Sequence, residues 1–169
     1  QSYAWGVWTT AHARYELEKA IKIAGSGFIY CDTDSVKYIG DADFSVLNDS
    51  LKRRSQASGA CAVDPKGKTH YLGVWEYEGE YKTFKTLGAK KYVYTDQDGE
   101  LHVTIAGVNK KKGAEELKAK GGVTAFRPGF VFRTAGGTES IYNDHPPMEE
   151  IIREGKPIQI ISNLYMYDL

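Results

Sequence analysis

The sequence has only two cysteines, Cys31 and Cys61, and neither lies in a CxxC or histidine-bearing arrangement with zinc-ligand spacing. This excludes a disulfide framework and gives no sign of a structural zinc site. No apolar run approaches the ~20 residues needed to cross a bilayer, and no charged and then apolar leader precedes a cleavage site. We therefore expect a soluble, intracellular protein with no membrane partner. At 169 residues the chain is long enough for one domain or for a compact unit with a smaller appendage.

The sequence also lacks a net charge, because 22 Lys and Arg balance 22 Asp and Glu. The charges are unevenly placed, since residues 82–133 hold eleven basic residues against five acidic ones. That segment is therefore near +6 and the remainder near −6. Such a layout suits a protein that holds a polyanion on one side and cations on the other. A solvated lysine face is the alternative that charge alone leaves open.

Helical and strand-like patterns alternate along the first half of the chain, without an internal repeat. Small and apolar residues at helical spacing predict a helix over 7–24. Strand-like runs then flank the triplet DTD at 32–34, which predicts that its carboxylates lie at a hairpin turn. A short helix with Asp43 as its possible cap follows. Residues 56–70 are rich in Gly, Ala, Ser and Lys and are typical of a loop.

The second half of the chain predicts more antiparallel sheet and one short helix. The tetrapeptide DQDG at 96–99 joins two strand-like runs as a hairpin, with Gly99 available for a positive φ. The lysine-rich run at 110–122 predicts a short helix, and the tail predicts strands with glycine turns.

Asp32 and Asp34 carry the clearest chemical signal. In an extended chain residues i and i+2 point to the same side, so these carboxylates would converge and repel each other unless a cation lay between them. Mg²⁺ suits such a site because it takes few protein carboxylates and leaves the rest of its shell to water and substrate phosphates. A solvated turn is the alternative, since Asp and Thr are ordinary turn residues. Nucleotide-sugar glycosyltransferases also use a DxD triplet, so the triplet alone does not choose between enzymes.

The residues around the triplet resemble family B DNA polymerases. YCDTDS at 30–35 resembles the YxDTDS signature, which in that family forms the tip of a palm hairpin and binds the catalytic metals. TAHARY at 10–15 resembles the TAxARY helix that precedes this hairpin in the protein-primed phage members. The run at 72–92 resembles their LGxW, E, L and KxY pattern, and order and spacing agree over residues 6–92. FRPGF and TAGGTESIYND, within 126–144, resemble the start of the thumb in similar phage enzymes.

The resemblance implies an α+β fold in two parts. Residues 1–108 would form the C-terminal half of a polymerase palm, an antiparallel sheet with a packed helix. Residues 109–169 would form a small thumb. The chain opens at Gln1 without an initiator methionine, and we expect it to be a piece of something longer.

The resemblance also implies the roles of residues at the DTD triplet. Asp34 matches the metal-ligand aspartate, and Asp32 matches its companion, which supports the site and can contact the metal through water. Thr33 and Ser35 would fix the turn, and Tyr30 completes the signature. In the family this site works with two Mg²⁺ or Mn²⁺ ions.

A second set of candidate residues would contact DNA. Lys90 and Tyr92 match the KxY motif, which in the family holds the primer strand near its 3′ end. A lysine charge suits a phosphate, and a tyrosine packs a sugar while donating one hydrogen bond. An ordinary sheet pair is the alternative for these two residues. Lys110, Lys111 and Lys112 are further candidates, as part of a basic stretch that tracks phosphates.

The sequence also lacks motifs that the complete reaction needs. Two-metal phosphoryl transfer requires a clamp on both the attacking and leaving oxygens, with the metals about 3.5–4 Å apart. The family supplies a further aspartate from a DxxSLYP motif and triphosphate contacts from a KxxxNSxYG helix, and neither motif occurs in these 169 residues. The expected partners are therefore a primer–template DNA, deoxynucleoside triphosphates and a missing N-terminal part with exonuclease, fingers and the first half of the palm. The expected location is the cytoplasm of a bacterial host, for a phage-encoded enzyme.

Three other classes of function remain open at this point. A DxD-dependent nucleotidyl- or glycosyltransferase would bind a nucleotide sugar and make no use of the KxY stretch. A non-catalytic nucleic-acid module would bind DNA equally well with or without magnesium. A purely structural fragment would bind neither.

Overall fold

A computed structural model describes residues 3–133, 139–140 and 158–163 of the chain. It divides into two compact units, residues 1–79 with 159–169 (unit 1) and residues 80–158 (unit 2). The described helices are α1 (Tyr3–Ala24), α2 (Ser45–Ser58) and α3 (Lys110–Ala119). The described strands are β1 (Phe28–Asp32), β2 (Ser35–Ile39), β3 (Cys61–Val63), β4 (Thr69–Tyr71), β5 (Trp75–Tyr81), β6 (Thr83–Thr86), β7 (Lys91–Thr95), β8 (Leu101–Ile105), β9 (Val131–Phe132), β10 (Glu139–Ser140) and β11 (Ile158–Asn163).

The predicted α+β class is confirmed. The hairpins β1–β2, β3–β4, β6–β7, β7–β8 and β9–β10 are all antiparallel, and helices pack beside the sheets. Among the described residues, no helix has the length and apolar character that crossing a membrane requires.

Unit 1 consists of a sheet with strand order β1–β2–β11–β5, which α1 and α2 accompany. The C-terminal half of α1 packs on β1 and β2, because the small side chains of Ala20 and Ala24 let the helix approach the sheet closely. The core of this unit consists of Ala20, Ala24, Val36, Tyr38, Phe44, Leu51 and Trp75.

Polar contacts hold α2 in place within unit 1. Asn48 bonds both sides of one residue of β5, since its Nδ2 donates to the Trp75 carbonyl at 2.9 Å and its Oδ1 accepts from the Trp75 amide at 2.8 Å. The prediction of Asp43 as the cap of α2 is wrong by one residue, because Phe44 occupies the N-cap position and makes no side-chain cap bond. Asp43 still accepts a 2.8 Å hydrogen bond from the Ser45 amide in the first turn, and this bond lowers the pKa of Asp43.

The expected loop at 56–70 is wrong in part. It contains the last turn of α2 and the paired strands β3 and β4. The side chain of Asp64 organises this hairpin, because its Oδ1 accepts hydrogen bonds from the amides of Lys66 at 2.8 Å and Lys68 at 2.9 Å. A single aspartate therefore supplies turn bonds that the Gly-, Ser- and Lys-rich composition did not reveal.

Unit 2 is a three-stranded sheet, β6–β7–β8, with α3 packed on one face. The predicted β7–β8 hairpin is confirmed and Gly99 has φ 83°. The predicted helix is confirmed as α3, whose cap Asn109 accepts from the Lys112 amide. The core consists of Leu87, Val93, Leu101, Val103, Ile105, Val108, Leu117, Phe126 and Phe132. Of the predicted strand-like tail, residues 134–138, 141–157 and 164–169 lie outside the described residues.

The predicted boundary between residues 108 and 109 falls inside unit 2. It separates β8 from α3, yet Val103 of β8 and Leu117 of α3 belong to one hydrophobic core. The two compact units of the structure meet between Gly79 and Glu80. The assignment of palm and thumb stays a prediction.

Gly27, which lies just before β1, gives a test of this packing. A Cβ atom at Gly27 would clash with the backbone carbonyl oxygen of Ile39, whereas a Cβ at Gly6 of α1 would meet open space. We expect Gly27→Ala to lower the free energy of unfolding by about 2 kcal/mol, because backbone must move to admit the methyl group. Gly6→Ala, the matched control, should raise it by about 0.5–1 kcal/mol through helix propensity. Chemical denaturation measures both, and a Gly27→Ala variant of unchanged stability would contradict the close approach.

Candidate metal and nucleic-acid sites

The triplet DTD forms the tight turn between β1 and β2. Asp32 and Ser35 are the last paired residues of the hairpin, so Thr33 and Asp34 make up its two-residue loop. The Asp34 amide donates to the Asp32 carbonyl oxygen at 2.6 Å, and Thr33 has φ 52°. A β-branched residue in this left-handed region is strained, at a cost of order 1–3 kcal/mol. The predicted hairpin turn at the triplet is confirmed. The extended geometry expected from Asp32 to Asp34 is wrong, because the chain turns at Thr33.

Side chains of the motif support the turn. Thr33 Oγ1 donates to Asp32 Oδ1 at 3.1 Å, and Ser35 Oγ donates to the Asp32 carbonyl oxygen at 3.2 Å. These bonds compete with water for the oxygens of Asp32 and limit the conformations of the turn. Their effect is to hold one carboxylate in a defined place at the tip of the hairpin.

The two faces of the hairpin differ in character. Because side chains alternate along a strand and paired residues share a face, Tyr30, Asp32, Ser35 and Lys37 lie on one face. Val36 lies on the opposite face, in the core of unit 1. The sheet thus separates an apolar face from a face that carries charge.

Lys37 is a residue of this charged face that the sequence analysis missed. It is only 3% exposed, and its Nζ donates to Ser35 Oγ at 2.6 Å and lies 5.7 Å from the centre of the Tyr30 ring. Burial lowers the pKa of Lys37, although nearby carboxylates, Glu78 foremost, oppose that shift. The available signal was strand alternation, which places residue 37 on the face of residue 35.

Lys90 and Tyr92 lie together in unit 2, at the start of β7. Lys90 is exposed and has φ 55°, and its carbonyl oxygen accepts from the Ala106 amide at 3.2 Å. Tyr92 is 9% exposed, and its ring lies 5.3 Å from that of Phe84 and 6.4 Å from that of Tyr94. The ring of Tyr92 therefore belongs to the sheet, and Lys90 presents its side chain to solvent beside it.

Lys110, Lys111 and Lys112 form the exposed first turn of α3. No acidic residue lies in that turn, so three positive charges sit at the positive end of the helix macrodipole. This placement is unfavourable for the isolated helix and favourable for binding an anion. Lys110 and Lys111 also line a cavity of about 370 Å³ together with Tyr94 and His102.

A third group of polar residues, which the sequence analysis did not single out, lies at the β7–β8 hairpin. Asp96, Glu100 and His102 each bring one ligand atom within 4.8 Å of the others. His102 Nε2 lies 2.7 Å from Asp96 Oδ2, and Asp96 Oδ1 accepts from the Glu100 amide at 2.8 Å. The bond with His102, followed by that from the Glu100 amide, lowers the pKa of Asp96. These bonds close the hairpin.

The candidate residues therefore form two groups in two units. Tyr30, Asp32, Thr33, Asp34 and Ser35 lie in unit 1, and Lys90, Tyr92 and Lys110–Lys112 lie in unit 2. The residues of unit 1 share one hairpin, whereas those of unit 2 lie at the start of β7 and at the start of α3. Their roles in metal and DNA binding stay predictions.

Comparison with known proteins relates part of this chain to phage DNA polymerases. Over 88 residues, or 52% of the chain, it is 35% identical to the DNA polymerases of Bacillus phage PZA and Bacillus phage phi29. Over the same length it is 33% identical to the DNA polymerase of Bacillus phage Nf. The match spans 12–13% of the length of these relatives. No protein-family model matches the chain, and no solved structure matches it.

The backbone strain at Lys90 gives a prediction for stability. A left-handed φ costs a non-glycine residue about 1–2 kcal/mol, so Lys90→Gly should raise the free energy of unfolding by about 1 kcal/mol. Lys85→Gly is the matched control: it makes the same exchange in the middle of β6, where glycine should lower stability by a similar amount. Urea denaturation of both variants tests this. Equal losses of stability would show that Lys90 is not strained.

Proposed function

We propose that this chain is part of a DNA-directed DNA polymerase that adds deoxynucleotides to a primer 3′ end. The observation that carries the proposal is the strained DTD turn, which presents Asp32 and Asp34 at the tip of an antiparallel hairpin. Strain of this kind persists where the surrounding structure enforces it, and it concentrates at functional sites. The identity with phage DNA polymerases supports the same reading for half of the chain.

The donor set at the turn fits Mg²⁺ or Mn²⁺ in part. Asp34, with Asp32 as its companion, supplies hard carboxylate oxygens, which these ions prefer. Two carboxylates leave most of an octahedral shell to water, substrate phosphates and ligands from outside this chain. When bound, the two ions of such enzymes activate the 3′ oxygen and neutralise the leaving pyrophosphate. Thr33 and Ser35 keep the Asp32 carboxylate and carbonyl in place for this task.

The residues of unit 2 would hold the nucleic acid. In this proposal Lys90 binds a primer phosphate near the 3′ end and Tyr92 packs beside the primer sugar. Lys110, Lys111 and Lys112 bind further phosphates, since the first turn of α3 combines their charge with backbone amides directed out of the helix. Residues 1–108 would serve as the later half of the palm and residues 109–169 as the thumb. The remaining catalytic carboxylate and the triphosphate contacts would come from the missing N-terminal part of the polymerase.

DNA binding by the chain should depend steeply on salt. We expect weak binding of a primer–template duplex, with log K falling by about 0.9 for each phosphate contact per unit of log salt concentration. The quadruple alanine variant of Lys90, Lys110, Lys111 and Lys112 should make that slope shallower by up to the contribution of four phosphate contacts. Fluorescence anisotropy at several salt concentrations measures it.

The matched control for this titration removes the same charge from exposed lysines of unit 1, namely Lys22, Lys52, Lys66 and Lys68. This control should weaken binding only through the loss of net positive charge. It should not change the slope as the first variant does, because those residues would contact no phosphate. Identical slopes for all proteins would show that the lysines of unit 2 are only solvated. If the chain binds DNA with the same affinity in the presence and absence of magnesium, a non-catalytic nucleic-acid module is favoured.

The chain should bind a divalent ion weakly and should not extend a primer by itself. We expect a dissociation constant for Mn²⁺ in the millimolar range, because Asp32 and Asp34 supply at most part of a coordination shell. Primer extension with Mg²⁺ or Mn²⁺ should give no product above background, since positioning and charge stabilisation both require the missing motifs. In a chain that contains those motifs, Asp34→Ala should lower extension by several orders of magnitude. Asp49→Ala, which removes an exposed carboxylate of α2, is the control and should not.

Two results would contradict the proposal that the metal binds at the DTD turn and that its further protein ligand lies outside this sequence. Template-dependent extension by the 169-residue chain, abolished by Asp34→Ala, would mean that a further metal ligand lies within this sequence. Tight Mn²⁺ binding that survives Asp34→Ala would place the ion elsewhere. Its loss on His102→Ala would then assign it to the group of Asp96, Glu100 and His102.

A further inference from the structure

We propose that Lys37 is a positioning residue that acts as a built-in counter-cation of the DTD turn. Its ammonium group stabilises Asp32 and Asp34 when no divalent ion is bound, and it opposes the binding of such an ion. The proposal rests on the assignment of these two carboxylates as metal ligands, which is part of the proposed function.

The first support is the position of the Lys37 ammonium group. Lys37 is almost fully buried, and a lysine in that state requires partners for its charge. The Lys37 ammonium donates a 2.6 Å hydrogen bond to Ser35 Oγ, and Ser35 Oγ in turn donates to the backbone carbonyl oxygen of Asp32. A short chain of hydrogen bonds therefore joins the buried cation to the residue that starts the turn.

The second support is the charge around Lys37. Its pKa is lowered by burial and raised by the carboxylates of Glu78, Asp32 and Asp34, in that order, so all three act on one ammonium group. Three acids and one lysine leave the group negative, which suits a cation from solvent. When no such cation is present, the ammonium group of Lys37 offsets part of the repulsion among the three carboxylates.

The third support is the separation of the two faces of the hairpin. Val36, the neighbour of Lys37, packs in the core with Ala20 of α1, and Lys37 points away from that core. A buried ammonium contributes less to packing than an apolar side chain of the same length, because it loses its hydration. The negative charges of Glu78, Asp32 and Asp34 offset part of that lost hydration.

These observations define the effect of removing the charge. A positive charge beside a divalent ion raises the energy of the bound state by Coulomb repulsion. Without it, the carboxylates should repel one another more strongly in the free protein and attract an ion more strongly. We expect Lys37→Met to lower the dissociation constant for Mn²⁺ by at least about fivefold, even with strong solvent screening.

The experiment compares Mn²⁺ binding and thermal unfolding in four variants of the 169-residue chain. Free Mn²⁺ is followed by its electron paramagnetic resonance signal, and Tm is measured with and without Mn²⁺. Lys37→Met should bind Mn²⁺ more tightly and gain more in Tm from it than the unchanged chain does. Lys37→Arg, which keeps the charge, should behave like the unchanged chain. Lys66→Met removes the charge of an exposed lysine of the same unit and should have no effect.

The fourth variant, Asp34→Ala, separates this proposal from the proposed function. If Asp34→Ala abolishes Mn²⁺ binding but Lys37→Met binds as the unchanged chain does, the role of Lys37 is overturned and the metal site stands. If Asp34→Ala leaves Mn²⁺ binding intact, the metal assignment itself is overturned, and the role of Lys37 with it. Should Lys37→Met fail to fold with or without Mn²⁺, Lys37→Gln, which keeps a donor for Ser35 but carries no charge, takes its place in the same comparison.

Discussion

The close placement of two acidic residues by a tight turn is the constraint on which the organisation of unit 1 depends. Asp32 ends β1 and Asp34 follows Thr33 in the two-residue loop, so the backbone of the hairpin keeps the two residues near each other. The sheet meets this constraint by keeping its two faces separate. One face packs Val36 against α1, and the other carries the charged groups and the buried ammonium of Lys37. The apolar core thus fixes the hairpin, and the fixed hairpin holds like charges at its tip.

Backbone strain marks the same residues that the sequence resemblance singled out. Among the described residues, Thr33 and Lys90 are the non-glycine positions with positive φ. Thr33 is the centre of the DTD triplet, and Lys90 is the lysine of the KxY stretch. In each case glycine would satisfy the backbone at lower cost, so the side chain itself must be the reason for its presence. The Thr33 hydroxyl supports the turn by its bond to Asp32, and the phosphate binding proposed for Lys90 would give that side chain a comparable task.

The fold was largely predictable from local pattern, and the charged face was not. Helical spacing predicted α1 and α3, and the tetrapeptide before Glu100 predicted the β7–β8 hairpin, because these signals lie within a few neighbouring residues. The β3–β4 hairpin escaped prediction, since its turn depends on side-chain bonds of Asp64 rather than on composition. Lys37 escaped for a different reason: its burial and its place on the same face as Asp32 depend on strand register, which local sequence does not specify. The extended geometry assumed for the triplet failed because Thr33 adopts a conformation that β-branched residues rarely take.

The basic end of α3 follows the same physical logic as the DTD turn, with the opposite sign. Lys110–Lys112 place like charges where the helix macrodipole is already positive, and the DTD turn places two acidic residues in one tight hairpin whose charged face carries the buried Lys37. Both arrangements cost free energy in the isolated chain, and both would be stabilised by a ligand of opposite charge. A polyanion beside α3 and a divalent cation beside the turn are the two ligands that nucleotide transfer to a primer requires. The zero net charge of the chain therefore conceals two separate groups of unfavourable like charges, each suited to one of those ligands.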